Sequence, residues 1–185
     1  MKSLQGQFLI AAPRLSDPNF FHAVVLMVQH SEEGALGLVI NRPLTATVSE
    51  VWKQVSESAC LIEAFIHQGG PCEGPLMVLH GNTELGGEMS VMPGVMLSTN
   101  KEAIEQLVTA GSSPTRFFVG YAGWAAGQLE YELETASWLA VAAAPEQVFE
   151  DSDDDLWHQL HREATRAAQS TWIPPAIMPD DPSLN

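Results

Sequence analysis

The chain has 185 residues and a formal net charge of −15, from 23 acidic and 8 basic residues. This charge makes nucleic acid an unfavourable partner, because phosphates would be repelled unless the few basic side chains clustered. The two cysteines support neither a disulfide framework nor a zinc knuckle, and the sequence contains no signal peptide and no apolar run of about 18 residues. We therefore expect a cytoplasmic protein that does not enter a membrane.

Hydrophobic periodicity predicts hairpins mixed with single helices, and therefore an α+β fold rather than a doubly wound sheet. The clearest hairpin joins two apolar runs through the loop 31–34, which ends in glycine. Capping-box spacing at Thr47 and Glu50, and again at Thr99 and Glu102, predicts two helix starts. The predicted strands are 7–12, 24–29, 36–40, 61–67, 76–80, 89–92, 95–97, 116–121 and 138–142, and further helices begin within 120–127 and at Ser152.

We expect residues 1–173 to form one domain, because no repeat, linker or low-complexity stretch divides them. A chain of this length can bury roughly 70% of the surface that its unfolded form exposes, so it needs no covalent staple. Residues 174–185 are rich in Pro and Asp, a composition typical of a flexible acidic tail.

Four short motifs, most of them rich in glycine, occur in order along the chain. They are Leu4-x-Gly6-x-Phe8-Leu9-Ile10-Ala11-x-Pro13, Gly34-Ala35-x-Gly37-Leu38-x-Ile40-Asn41-Arg42-Pro43, Gly69-Gly70-Pro71 and Gly120-Tyr121-Ala122-Gly123-Trp124-x-x-Gly127-Gln128-Leu129-Glu130. Together they closely resemble the YqgE/AlgH family of bacterial proteins, over about residues 4–160. The resemblance implies a bifurcated, largely antiparallel β-sheet bent into a pseudo-barrel with helices packed outside. It implies no established activity, although some members carry the name of transcriptional regulator.

A glycine-rich segment stands where a predicted strand enters a helix, and it includes Gly123, Trp124, Gly127, Gln128 and Glu130. Its glycine spacing matches neither a dinucleotide fingerprint nor a P-loop. Two interpretations remain open. The glycines permit a tight turn while Trp124 packs against the sheet, or they let a ligand approach backbone amides beside Trp124 and Gln128. The carboxylate of Glu130 argues against a highly charged anion at this place.

Glu130 is also the one candidate for acid–base catalysis. On a helix it shares a face with Glu134 at i,i+4 spacing, whereas Glu132 lies away from that face. Paired carboxylates can transfer protons, but like charges on an exposed helix are more often simply solvated. Burial of Glu130 behind Trp124 would raise its pKa and favour a catalytic role.

Two further motifs have a structural and a functional interpretation. Asn41 and Arg42 suit a turn after the hairpin, but Arg42 could also bind a carboxylate or a phosphate. Gly69, Gly70 and Pro71 suit a turn that needs positive φ, or a loop that lies close to a ligand.

Three histidines, His30, His67 and His80, lie at the ends of predicted strands and could meet at one rim of a sheet. His158 and His161 lie three residues apart on the last predicted helix. Neither set has an identifiable further ligand, so we predict no metal site and no cofactor.

The leading hypothesis is a non-catalytic binding or regulatory protein whose partner is an unknown small molecule or protein. Its predicted pocket would be built from residues 69–71, His80 and residues 123–130. The alternative is an enzyme in which Glu130 or a strand-end histidine acts as general base. A transcriptional regulator is the third hypothesis, and the net charge of −15 disfavours it.

Overall fold

The computed structural model describes residues 2–111, 114–150 and 153–170. The predicted tail, 174–185, lies outside these residues, as does Ser152, the predicted start of the last helix. Within the described ranges, no helix is both long enough and apolar enough to cross a membrane.

The described residues form eleven strands and five helices. The strands are β1 (Gln7–Ala11), β2 (Val24–Ser31), β3 (Gly34–Val39), β4 (Pro43–Thr47), β5 (Phe65–Gln68), β6 (Met77–His80), β7 (Met89–Met92), β8 (Val95–Ser98), β9 (Thr115–Val119), β10 (Ala122–Ala125) and β11 (Trp138–Ala142). The helices are α1 (Val48–Val55), α2 (Lys101–Ala110), α3 (Gln128–Glu134), α4 (Pro145–Phe149) and α5 (Asp153–Ser170).

The strands are arranged in two sheets, which confirms the α+β class. One sheet has the order β10-β3-β2-β1-β11, and the other has the order β4-β5-β9-β6-β8-β7. The described pairings are antiparallel except for β5 with β9, which run parallel. Each sheet ends in two edge strands, so neither described sheet closes on itself as a barrel.

Apolar residues on both faces of each sheet produce a layered core. The central cluster lies between the sheets, where Phe8 and Leu38 of one sheet share a core with Leu79 and Phe118 of the other. Helix α3 covers the outer face of the five-stranded sheet, and α1 and α2 cover the outer face of the six-stranded sheet. Helices α4 and α5 contribute side chains to the central cluster. Helices α1, α2 and α3 therefore pack outside the sheets, as the family resemblance implies.

The chain passes from one sheet to the other at Gly120. Strand β9 ends one residue earlier in the six-stranded sheet, and β10 begins two residues later in the five-stranded sheet. Gly120 has φ of +72°, a left-handed conformation that glycine adopts without strain. The predicted strand-to-helix junction is therefore wrong in one respect, because a strand intervenes. Helix α3 begins only after Gly127, whose φ is +75°.

The loop that contains Gly69 and Gly70 crosses the backbone next to this switch point. The Gly69 N–H donates to the carbonyl of Val119 at 2.9 Å, and the Gly69 carbonyl accepts from the N–H of Val39 at 2.8 Å. A Cβ atom on Gly70 would lie 2.3 Å from the carbonyl oxygen of Tyr121, far inside van der Waals contact. The crossing therefore tolerates no side chain at Gly70.

The helix starts test the two predicted capping boxes. The first is confirmed, because the Thr47 side chain accepts the Glu50 N–H while the Glu50 carboxylate accepts the Thr47 N–H. The second is wrong, because α2 begins after Asn100, whose Oδ1 accepts the N–H three residues on at 2.7 Å. The Thr99 N–H donates instead to the carboxylate of Glu88 at 2.7 Å, which places Thr99 one residue before the cap.

We predict that Gly70→Ala lowers the free energy of unfolding by roughly 3 kcal/mol or more, because the new methyl group would meet backbone that has no room to move. Gly127→Ala is the matched control, since it has positive φ but no atom within 4 Å of the added Cβ. Its cost should be only roughly 1 to 2 kcal/mol, that of a left-handed alanine. Urea unfolding of both variants measures the difference, and equal losses would contradict the steric explanation.

Candidate functional site

A cavity of about 720 Å³ opens beside β4 and β5, at the start of β9. Its size lies within the range of about 300 to 1,000 Å³ that is usual for small-molecule sites. Among its lining residues, Pro43, Ile62 and Phe65 are apolar, and Thr47, His67 and Arg116 are polar. The cavity thus combines apolar walls with a small number of hydrogen-bonding groups.

Arg116 and His67 are buried side chains of this wall, with exposed fractions of 3% and 4%. His67 pairs with Phe118 in the parallel ladder between β5 and β9, and the two rings lie 5.7 Å apart. Because alternate residues of a strand share a face, Arg116 lies on the same face of the sheet as Phe118. Its guanidinium donates to the carbonyl of Ile40 at 2.9 Å and to the carbonyl of Glu150.

The sequence prediction missed this pair as a site. It treated His67 only as one strand-end histidine and assigned Arg116 to no candidate site. A signal was available, because Arg116 stands in the strand Thr115–Val119 and is followed directly by two phenylalanines and a valine. A cation in such a run is normally buried with hydrogen-bond partners or belongs to a site.

Asn41 and Arg42 hold the loop that precedes β2. Asn41 accepts the N–H of Val24 at 2.8 Å and donates to the carbonyl of His22 at 2.9 Å. Arg42 donates to the carbonyl of Phe21 at 3.0 Å and also to that of Asn19. Burial lowers the pKa of Arg42. These side-chain bonds reach backbone atoms of the loop and of the first residue of β2, so both side chains have a structural role here.

Gly70 and Pro71 line a second, more open cavity of about 570 Å³, together with Cys72. Gly69 lies in the backbone crossing described above. Both glycines of this motif therefore allow the close backbone crossing, and Gly70 also borders the cavity.

The segment that contains Gly123, Trp124, Gly127 and Gln128 lies on the five-stranded sheet, apart from both of these cavities. Trp124 is 5% exposed and packs in the outer core under α3, where it also borders a shallow opening of about 230 Å³. Gln128 accepts the N–H of Ala125 at 3.1 Å, just before the helix starts. Gly127 supplies the left-handed turn at that point.

Glu130 is bound to the buried histidine His30. The Nδ1 atom of His30 accepts the N–H of Leu4 at 3.0 Å, so its Nε2 carries the proton and donates to Glu130 Oε1 at 2.9 Å. The carboxylate also accepts the backbone N–H of Glu130, which lowers the pKa of Glu130 most. Burial acts in the opposite direction, and the bond from His30 lowers the pKa further. A raised pKa, the condition for a catalytic role, is therefore not observed.

Glu132 has the larger structural role in this helix. Its Oε2 accepts the indole N–H of Trp124 at 3.0 Å and that of Trp138 at 2.7 Å, while Oε1 accepts from Gln128 at 2.9 Å. The helix-face argument, which separated Glu132 from Glu130, gave no reason to expect this, because the tryptophans come from two different strands.

His80 lies in a different part of the molecule from both Glu130 and the glycine segment. Its Nε2 atom is 3.0 Å from Ser98 Oγ, and both residues are fully buried between β6 and β8. Burial lowers the pKa of His80, so the neutral ring is favoured. A Ser–His pair can act as nucleophile and base, but this one has no exposed surface from which a substrate could reach it. No metal-holding group of three or more His, Cys, Asp or Glu occurs in the described part of the chain.

We predict that Glu130→Gln lowers the free energy of unfolding at pH 7 by roughly 0.5 to 1 kcal/mol, because the bond is partly solvated. Since the folded pKa of Glu130 lies below its ordinary value of 4.5, the stabilisation is present above pH 4.5 and is lost as the pH falls through the folded value. Denaturant unfolding from pH 7 to pH 3 measures this, with exposed Glu134→Gln as control. A difference between wild type and Glu130→Gln that persists unchanged at pH 3 would refute the pairing.

We predict a larger effect for Glu132→Ala, with a loss of roughly 2 to 4 kcal/mol, because two indole N–H groups lose their acceptor. Glu134→Ala, on the same helix, should cost less than about 0.5 kcal/mol. Thermal unfolding compares the two variants, and similar melting temperatures would show that water replaces the carboxylate at no cost.

Comparison with known proteins agrees with this architecture. A UPF0301 protein of Chlorobaculum tepidum is 36% identical over 185 residues, which cover 97% of this chain and 95% of the relative. A UPF0301 protein of Myxococcus xanthus is 41% identical over 160 residues, which cover 85% of this chain and 88% of the relative.

Two solved structures have the same fold. The solution structure of the AlgH protein from Pseudomonas aeruginosa aligns with a TM-score of 0.70 and 34% identity, over 94% of this chain and 98% of that one. A crystal structure from Corynebacterium diphtheriae aligns with a TM-score of 0.69 over 88% of each chain, and its 23% identity supports similarity of fold alone. The family model described as AlgH-like matches residues 8–168. The chain therefore belongs to the AlgH-like family.

Proposed function

We propose that this protein is a non-catalytic, cytoplasmic binding protein whose ligand is a small molecule held in the 720 Å³ cavity. The observation that carries the proposal is the presence of two buried polar side chains, Arg116 and His67, in the wall of a cavity of ligand size. Apolar walls supply affinity through burial, and a few fixed polar groups supply orientation.

The lining indicates the general chemistry of the ligand. Ile62, Phe65 and Pro43 favour an apolar body, whereas the guanidinium of Arg116 and the imidazole of His67 favour a polar end that can accept hydrogen bonds. Glu63 also lines the cavity but is exposed, so water solvates its charge.

The glycine motifs offer two alternative positions for a ligand. Gly70 and Pro71 border the more open cavity of about 570 Å³, and Trp124 borders the shallow opening on the other sheet. Both are proposals that rank below the first, because the described walls of these openings contain no buried ionisable side chain.

Catalysis by Glu130 ranks lower as well. Its hydrogen bond to His30 and its lowered pKa make it a weaker base than an ordinary glutamate. A DNA-binding role is supported only by the name of transcriptional regulator that some family members carry. The net charge of −15 opposes it.

We predict that a thermal-shift screen of metabolites identifies a compound that stabilises the wild-type protein. The same compound should not stabilise the Ala64→Phe variant, because the larger side chain fills the cavity. At one hundred times its Kd, a ligand adds about 2.7 kcal/mol of stability to the wild type. Ala125→Phe is the control, since Ala125 is exposed on β10 and should leave binding intact.

Glu73→Trp tests the alternative cavity with the same compound. Stabilisation that Glu73→Trp removes and Ala64→Phe retains would move the site to the Gly70 loop. Stabilisation that all three variants retain would exclude both cavities.

A further inference from the structure

Four aromatic rings stack where α5 meets the loop before β2. The ring of His22 lies between the rings of Phe21 and Trp157, at centroid distances of 3.9 and 3.8 Å and interplanar angles of 19° and 16°. His161 stacks on Trp157 at 5.0 Å, and His158 meets His22 edge-on at 5.6 Å. Three imidazoles therefore gather around one indole, and no role assigned above uses them.

The loop holds His22 in a backbone conformation that its residue type rarely adopts. His22 has φ of +53°, which is uncommon for a residue that is not glycine. Asn41 binds its carbonyl at 2.9 Å, and Arg42 binds the carbonyl of Phe21 at 3.0 Å. The hydrogen bonds of these two side chains hold the strained residue in place, so the loop side of the stack has a defined position.

The indole that meets His22 also fastens α5 to the rest of the molecule. Trp157 donates from Nε1 to the carbonyl of Ala11 in β1 at 2.8 Å. Together with Leu156 and Leu160 it fills the central core between the sheets. A change in the position of Trp157 would therefore act directly on the attachment of the helix.

We propose that His22, His158 and His161 form a proton-operated release for helix α5. In the neutral state the rings of His22 and His161 stack on Trp157, the ring of His158 lies edge-on to it, and the helix stays docked. A proton added to His22 places a positive charge inside this stack, beside His158 and His161, and repulsion there favours separation of α5 from the loop. The proposal is independent of any ligand in the 720 Å³ cavity.

The surrounding charges decide the direction of the effect. Arg42 contributes a positive charge beside the loop. The negative charge of Asp17 attracts that of Arg42 and favours its charged form. An imidazolium over an indole gains cation–π attraction, which favours the first proton. The loss of water around His22 and, after it, repulsion from His158 and His161 oppose protonation of His22.

The linkage to pH follows from the same cluster. Burial, followed by the charges of His158 and His161, lowers the pKa of His22 from its ordinary value of 6.5. The docked state therefore binds this proton more weakly than the released state. Docking is complete above pH 6.5 and weakens as the pH falls through that value toward the lower pKa of the docked state.

Hydrogen exchange of the full chain at pH 7.5 and pH 5.5, corrected for intrinsic exchange rates, tests the proposal. We expect the protection of α5 amides to fall at pH 5.5 relative to pH 7.5, while β2 amides keep their protection. The double variant His158→Gln/His161→Gln should reduce this loss. Glu163→Gln, an exposed change on the same helix, should leave it unchanged.

His22→Asn provides a second variant, because asparagine tolerates positive φ but has no ring to protonate. Its α5 protection should be lower at pH 7.5 and less dependent on pH than in the wild type. Equal pH dependence in the wild type and in the double variant would overturn the proposal. Stronger protection of α5 at pH 5.5 would overturn it as well, since cation–π attraction would then prevail.

Discussion

Two stretches of backbone pass each other so closely at Gly70 and Tyr121 that no side chain fits between them, and both sheets depend on this contact. Cys72 and Tyr121 exchange two backbone hydrogen bonds of 3.0 Å immediately beyond the crossing. Gly69 bonds to a residue of each sheet at the same place. The crossing is therefore the joint at which the two sheets separate, and steric necessity accounts for glycine there.

The same crossing determines on which of the two sheets the candidate functional side chains lie. The five-stranded sheet receives Trp124 and the residues that lead into α3, whereas the six-stranded sheet keeps His67, His80 and Arg116. Residues that are close in sequence around Gly120 consequently end on different layers. The parallel pairing of β5 with β9 brings His67 and Arg116, which are far apart in sequence, to one wall.

Sequence reasoning succeeded where the structural signal is local. The hairpin of β2 and β3, the hairpin of β7 and β8, and the Thr47 helix start depend on turn residues, strand alternation and one side-chain cap. It failed where tertiary contacts override local preference. The strand predicted over 61–67 is reduced to Phe65–Gln68, and β10 forms in a segment whose glycines suggested a helix start.

The candidate site was harder to predict, for a related reason. The glycine and tryptophan motifs stand out in the sequence, yet much of their chemistry is satisfied by backbone crossings and by the carboxylate of Glu132. The residues of the cavity wall are individually ordinary, and only the strand order assembles them. Strand order depends on long-range pairing, which one sequence does not reveal.

The side chain of Asn41 has a consequence that reaches beyond the loop it holds. Its Oδ1 accepts the N–H of Val24 and its Nδ2 donates to the carbonyl of His22. The side-chain amide thus bonds to the start of β2 as a backbone peptide group of a neighbouring strand would. A carboxylate in the same position would keep the first bond but would set an oxygen against the carbonyl of His22. Exchange of the amide for a carboxylate would therefore weaken the start of β2, although the side chain would keep almost the same size and shape.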